Sequence, residues 1–288
     1  MKRLFAVLLI LSCSLAPVGA QNASQPATAQ SAPGAASSAD AESQKARALL
    51  DKMIAALGGD AYLTLSTRSE QGRTYGYDRG QAKGLATDYW LFWQYPDKDR
   101  TEVTKKRDII NIHNGDRGYE ITYRGTAALP DKQMQDYLRR RDCSLEVVLR
   151  QWLKDSKTLV LYGGHNVIEN RQVEQVTLLN AEDRSVTIAI DANDYLPIRK
   201  SFTYRDPLDQ LKTEETDTYG NYRPEQGMMT AHIIVHTRNG EITSERFLTK
   251  VEYNPQLSPS LFDARVTYNP GTGRHSSEVP LSGGTPQW

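Results

Sequence analysis

The chain has 288 residues and a balanced charge, with 35 Lys and Arg against 35 Asp and Glu. That balance argues against the basic excess of a nucleic-acid binder, and two cysteines exclude a disulfide scaffold or a Cys-rich zinc site. Apolar residues make up 39%, and 15 tyrosines against 5 phenylalanines weight the aromatics toward half-buried strand surfaces.

Residues 1–20 read as an export signal. Lys2 and Arg3 supply the positive start, Leu4 to Leu11 a short apolar stretch, and Val18-Gly19-Ala20 a small-residue cleavage site. The apolar stretch is too short to span a bilayer, so no transmembrane span is expected in the mature chain. Two locations stay open. Cleavage near Ala20 releases a periplasmic or secreted protein, whereas Ile10-Leu11-Ser12-Cys13, read as a lipobox, anchors a lipoprotein through Cys13.

Residues 21–40 are rich in Ala, Ser, Gln and Pro and read as a flexible linker. Residues 269–288, with Gly, Pro and Ser and no periodic segment, read as a disordered tail. One folded domain over 41–268 is left between them. It opens with Ala46, Leu49, Leu50, Met53 and Leu57 at helical spacing, closed by Gly58-Gly59, with Asp40 as N-cap.

From Leu63 the period changes to two. Tyr89, Leu91 and Trp93 alternate with Trp90 and Phe92, so both faces of that strand carry large apolar groups. Asn114-Gly115 and Asn239-Gly240 each sit between alternating runs, the strongest short hairpin signal. Val186, Ile188 and Ile190 share one strand face, and Ile198, Phe202 and Tyr204 another. Strands joined so closely pair antiparallel. Pro130 interrupts the meander with a helical insert. One stripe holds Met134, Tyr137 and Leu138, and a second holds Leu145, Val148, Leu149, Trp152 and Leu153.

The expected fold is mainly β, an α+β arrangement of about 11 strands in one antiparallel sheet. A sheet of that size curls, splits or closes. The expectation is a strongly curved sheet, or incomplete barrel, whose concave face is covered by the N-terminal helix and the helical insert.

Chemistry-bearing residues are sparse. His232 and His236 share a strand face about 13 Å apart, too far to ligate one metal, and read as solvated. Glu214, Glu215 and Asp217 read as a solvated edge. Cys143 reads as a small buried apolar residue, and Gly163-Gly164 as a bulge or turn. Arg139-Arg140-Arg141 reads as a solvated run that gains meaning only at a cavity rim. No catalytic set, metal site or cofactor site is expected.

The layout resembles the lipoprotein-localisation fold of LolA and LolB. Asp191 to Ile198 looks like that family's D-x-x-x-x-x-P hairpin. Tyr219 to Pro224, the strand at Met229, and Val251 to Pro255 followed by Leu261-Phe262 look like its closing strands. The resemblance implies a non-enzymatic periplasmic protein that holds a lipid, a lipoprotein acyl chain or another apolar ligand in the concave side. An envelope protein-interaction or sensing module is the alternative. By strand parity the expected ligand-binding residues are Tyr89, Leu91, Trp93, Val186, Ile188, Ile198 and Phe202, with no nucleic-acid partner.

Overall fold

A computed structural model describes residues 33–206 and 210–275. Export signal, Cys13, residues 21–32 and residues 276–288 lie outside the described residues. The chain begins with helix α1 (Pro33–Leu57) and the short α2 (Asp60–Leu63). Seven strands follow: β1 (Thr67–Asp78), β2 (Gln81–Ala82), β3 (Thr87–Gln94), β4 (Lys98–Val103), β5 (Ile109–Asn114), β6 (Arg117–Thr122) and β7 (Gly125–Ala128). The insert is α3 (Asp131–Asp142) and α4 (Leu145–Arg150), ending in a 3-10 turn at Trp152–Lys154. Seven more strands complete the sheet: β8 (Leu159–Ile168), β9 (Arg171–Leu179), β10 (Ser185–Asp191), β11 (Pro197–Arg205), β12 (Lys212–Glu225), β13 (Met228–Arg238) and β14 (Glu241–Tyr253). A 3-10 turn at Pro259–Phe262 and a small hairpin, β15 (Tyr268–Asn269) and β16 (Arg274–His275), close the described chain.

The main sheet has 14 strands in the order β7-β6-β5-β4-β3-β1-β14-β13-β12-β11-β10-β9-β8, with β2 paired to β1. Every pairing is antiparallel. Two meanders therefore meet where β1 pairs β14. The sheet stays open: β7 and β8 follow one another in sequence yet form its opposite edges. The insert that joins them must cross between those edges, which lays α3 and α4 over the concave side. The expected curved sheet with two helical covers is the fold found.

Three expectations need correction. The strand number is about 14 rather than 11, because β2, β7 and the charged β4 are too short or too polar to show alternation. Asp40 is not an N-cap: α1 starts at Pro33, so residues 33–40, read as linker, are helical. The physical reason is the run Ala35-Ala36-Ser37-Ser38-Ala39, with good helix formers and a proline at the first position, where its missing N–H costs nothing. Residues 269–275, read as tail, belong to the β15–β16 hairpin.

The hairpin signals hold. Asn239 and Gly240 take φ of 51° and 80° between paired Arg238 and Glu241, the left-handed pair a tight hairpin requires. The first hairpin turns one residue later than read, at Gly115-Asp116, since Asn114 pairs Arg117. Gly163 lies in a bulge of β8, where the register slips between Tyr162 and Gly164.

The concave side is filled at one end. Ala46, Leu50 and Met53 of α1 and Val148 and Leu149 of α4 pack on Val176, Leu178, Val186 and Ile188 of β9 and β10. Ser144 caps α4 by accepting a hydrogen bond from the Val147 N–H. Cys143 is buried among these groups, and burial pushes its thiol up to about 11. On the convex side the C-terminal segment straps β4, β5 and β7. Arg100 donates to the Leu261 carbonyl at 3.2 Å and Asn114 to the Phe262 carbonyl at 3.3 Å. The Thr267 N–H then donates to the Thr126 carbonyl, covering the β7 edge. Among the described residues no helix is long and apolar enough to cross a membrane.

Candidate functional site

Beyond the reach of α1 and α4, the concave side is hollow. A cavity of about 270 Å³ lies between α2–α4 and the strands β1, β3 and β12–β14. Strand register places its wall in rows. Tyr219 of β12 faces Ile234 of β13, which faces Arg246 of β14. One end of β1 brings Arg68 level with Trp93 of β3 and Tyr253 of β14. Between these rows stands Gly72, opposite Tyr89 and Leu248. A Cβ there would meet the Phe247 carbonyl at 2.2 Å and the Tyr89 ring at 2.9 Å, so only glycine lets the Tyr89 ring lie over the strand.

The helical roof is pinned by charge. Arg68 sits between Glu70 at 2.9 Å and Glu146 of α4 at 3.1 Å. Burial opposes ionisation of Glu146, but the Arg68 charge outweighs it and holds the carboxyl below its ordinary value. Tyr137 of α3 donates to Asp99 at 2.6 Å and stacks on His113 at 3.5 Å. His113 also contacts Asp99 at 2.9 Å. These contacts hold α3 onto β4 and β5.

A second charged cluster borders the cavity above Tyr219. Lys200, 4% exposed, pairs with Asp217 at 2.7 Å. His236 places one ring nitrogen 2.7 Å from Asp217 and the other 3.5 Å from Glu215. Arg238 pairs with Glu215 at 2.9 Å and Arg140 approaches it at 3.8 Å. Burial would raise the Glu215 carboxyl, yet hydrogen bonds from His236 and Arg238 and the Arg140 charge hold it down to about 2. Asp217 is likewise held below its ordinary value, against burial, by Lys200 and His236. Burial would depress His236, but its bonds to Asp217 and Glu215 raise it above its ordinary value.

Two expectations fail here. Glu215 and Asp217 are no solvated edge, because β12 lies between β11 and β13; only Glu214, on the other face, is exposed. Nor are the histidines solvated. His232 is 3% exposed, with one nitrogen 3.0 Å from the Leu248 carbonyl and the other 3.1 Å from Glu225. Among the described residues no three His, Cys, Asp or Glu side chains converge as a metal centre needs.

Of the expected ligand residues, Tyr89 and Trp93 line the cavity. Leu91 is buried between them on the same strand face. Val186, Ile188 and Phe202 lie in the packed core beneath α1 and α4, and Ile198 in a separate small cluster with Ile168, Val173 and Ala189. Of the arginine run, Arg140 and Arg141 reach the cavity, while Arg139 covers the Tyr204 ring at 3.7 Å. The residues missed are Tyr62, Tyr219, Tyr222, Ile234 and Arg246. A signal existed for one of them: Glu215, Asp217 and Tyr219 alternate with Thr216 and Thr218, which marks a single loaded face.

No family model matches the chain. DNA polymerase IV of Clostridium perfringens is 28% identical over 107 residues, which are 37% of this chain and 29% of that protein. The chain thus spans less than a third of the length of the curated relative it matches. A LolA superfamily protein from Nitrosomonas europaea is similar at a TM-score of 0.47 and 11% identity, over 75% of this chain and 96% of that one. A DUF1329 family protein from Desulfovibrio piger superposes with a TM-score of 0.52 at 11% identity, over 80% of this chain and 99% of that chain. At that identity the likeness to the DUF1329 family protein shows fold alone: an open antiparallel sheet with an N-terminal helix and a crossing helical insert.

Proposed function

We propose that the protein is a non-enzymatic binding protein of the cell envelope that holds a lipid, acyl chain or other small apolar ligand. The observation that carries this reading is the hollow where the helical filling stops. Leu57, Leu145, Val147, Ile234 and Leu248 give its wall aliphatic surface, and tyrosines and Trp93 give it aromatic surface. Its size limits the ligand. About 270 Å³ stands just below the roughly 300–1,000 Å³ of ordinary small-molecule pockets. One chain fits that space; the several chains of a lipoprotein require the roof to lift. Each methylene buried contributes roughly 0.8 kcal/mol, so burial alone supports binding. The envelope location follows from the leader read in residues 1–20. Tyr89 and Trp93 are the proposed contacts from the sequence reading, with Leu91 behind them.

A docking role for the helical insert has less support, because Met134, Leu145, Val148 and Leu149 all turn inward.

The test begins with organic extraction of protein purified from a bacterial host and mass spectrometry of the extract. Lipid at a fixed ratio to protein is the expected result. Ile234→Trp, which fills the cavity without adding charge, should abolish uptake of a fluorescent fatty acid while circular dichroism stays unchanged. Lipid-free protein that also fails to take up the probe would sink the proposal.

A further inference from the structure

The cavity wall is not uniformly oily. Arg68, Arg141 and Lys200 each have a close partner, at 2.9, 2.9 and 2.7 Å. Arg246 does not. The nearest carboxylate to Arg246 is Glu70, at 3.9 Å, and Glu70 is already held by Arg68. Among the described residues no hydrogen bond satisfies the Arg246 guanidinium, whose side chain lines the cavity and is 37% exposed. A guanidinium carries five N–H donors and no acceptor. These donors face the cavity and can take an acceptor that arrives from outside.

Two hydroxyls point the same way. Tyr89, Tyr137, Tyr222 and Tyr253 of the lining hydrogen-bond to protein. Tyr62 and Tyr219 line the cavity, half-buried, with no hydrogen bond among the described residues. Tyr219 and Arg246 stand in one row, two strands apart, with Ile234 between them. Neighbouring strands are about 4.8 Å apart, so their backbones are separated by roughly 10 Å. Both side chains line the cavity, so they flank a space for a head group of a few atoms, with Ile234 between them as the apolar floor.

We infer that the cavity selects a single-chain amphiphile with an anionic head, held by Arg246 and the Tyr219 hydroxyl. Carboxylate and phosphate both suit it, since either accepts two parallel N–H bonds from one guanidinium. This inference rests on the proposed binding function and adds the charge class of the ligand. The lining carries Arg68, Arg140, Arg141, Lys200 and Arg246 against the carboxylates Glu70, Asp99, Glu146 and Asp217, an excess of one positive charge that favours an anionic head.

The test is a head-group series on the full-length protein by isothermal titration calorimetry, with laurate, dodecyl phosphate, dodecanol and dodecyltrimethylammonium. At least one anion should bind about tenfold to a hundredfold tighter than dodecanol, the range expected for a charge-assisted hydrogen bond. The laurate and phosphate arms separate the two head chemistries. Arg246→Met should bring the anions to the dodecanol level and leave dodecanol unchanged. Tyr219→Phe, which keeps the ring, should lower the anion affinity severalfold. Equal binding of dodecanol and both anions by the unaltered protein overturns the anionic preference and leaves the cavity reading standing, and tighter binding of the ammonium does the same. Binding of none of the four overturns both. The series on the unaltered protein decides the matter even where Arg246→Met fails to fold.

Discussion

Glu215 sets much of the fold's response to acid. Its carboxylate is fully enclosed, met by His236, Arg238 and Arg140, and held down to about 2. A carboxyl depressed on folding stabilises the protein above its unfolded value, about 4.3, and that contribution is lost as pH falls toward the folded value. His236 is raised, so its contribution is complete below its unfolded value, about 6.5, and is lost as pH climbs through the folded one. Urea midpoints should therefore peak between about pH 4.5 and 6.5. Glu215→Gln should flatten the acid arm and His236→Gln the alkaline arm. Unchanged slopes in both would show that the cluster does not couple folding to protons. The burial of this cluster was only half legible in sequence. Parity marked a loaded strand face, but charges on an alternating strand read as wet until the strand's neighbours are known. Cys143 was legible because a lone thiol with no nearby histidine has one ordinary place, the core.

Among the elements, β1 carries the most constraint, since it joins the two meanders and faces the cavity. Gly72→Ala forces a methyl group into the Phe247 carbonyl and the Tyr89 ring. Overpacking of this kind costs about 1–3 kcal/mol. The variant should melt lower and bind the fluorescent fatty acid more weakly, because the Tyr89 ring is displaced into the wall of the site. Full stability in urea would count against that close approach. Long alternating strands, the insert and both glycine turns could be read from the chain, because period and turn chemistry are local. The short strands β2 and β7 could not, since their pairing energy comes from neighbours rather than from their own residues. Nor could the division of the concave side. Val186 and Tyr219 obey the same alternation, and only the length of α1 decides that one is packed and the other lines a void.

At the scale of the whole molecule, the open sheet has two working faces. Its concave side is shared between core and cavity, and its convex side is braced by the C-terminal strap. Phe262, 1% exposed, anchors that strap. Phe262→Ala should cost about 3–5 kcal/mol by urea denaturation. Ligand affinity per folded molecule should not change, because the anchor lies on the opposite face from the site. A parallel loss of affinity would show that the two faces are coupled.

The two edges of the sheet are treated unequally. Thr267 bonds along β7, but among the described residues no strand pairs the outer side of β8, where Leu159, Leu161 and Val167 are exposed. What interrupts that border is the slip in register at Gly163. A bulge bends a border strand and breaks its row of free N–H and C=O groups into two short stretches, each a poor template for a foreign strand. Deleting Gly163 would straighten the border into one continuous ladder and invite a second molecule to extend the sheet. The shortened protein should run as dimers or larger species in size-exclusion chromatography, with thioflavin fluorescence rising over time. A single surplus glycine then makes the open border of the sheet a poorer template for a second copy.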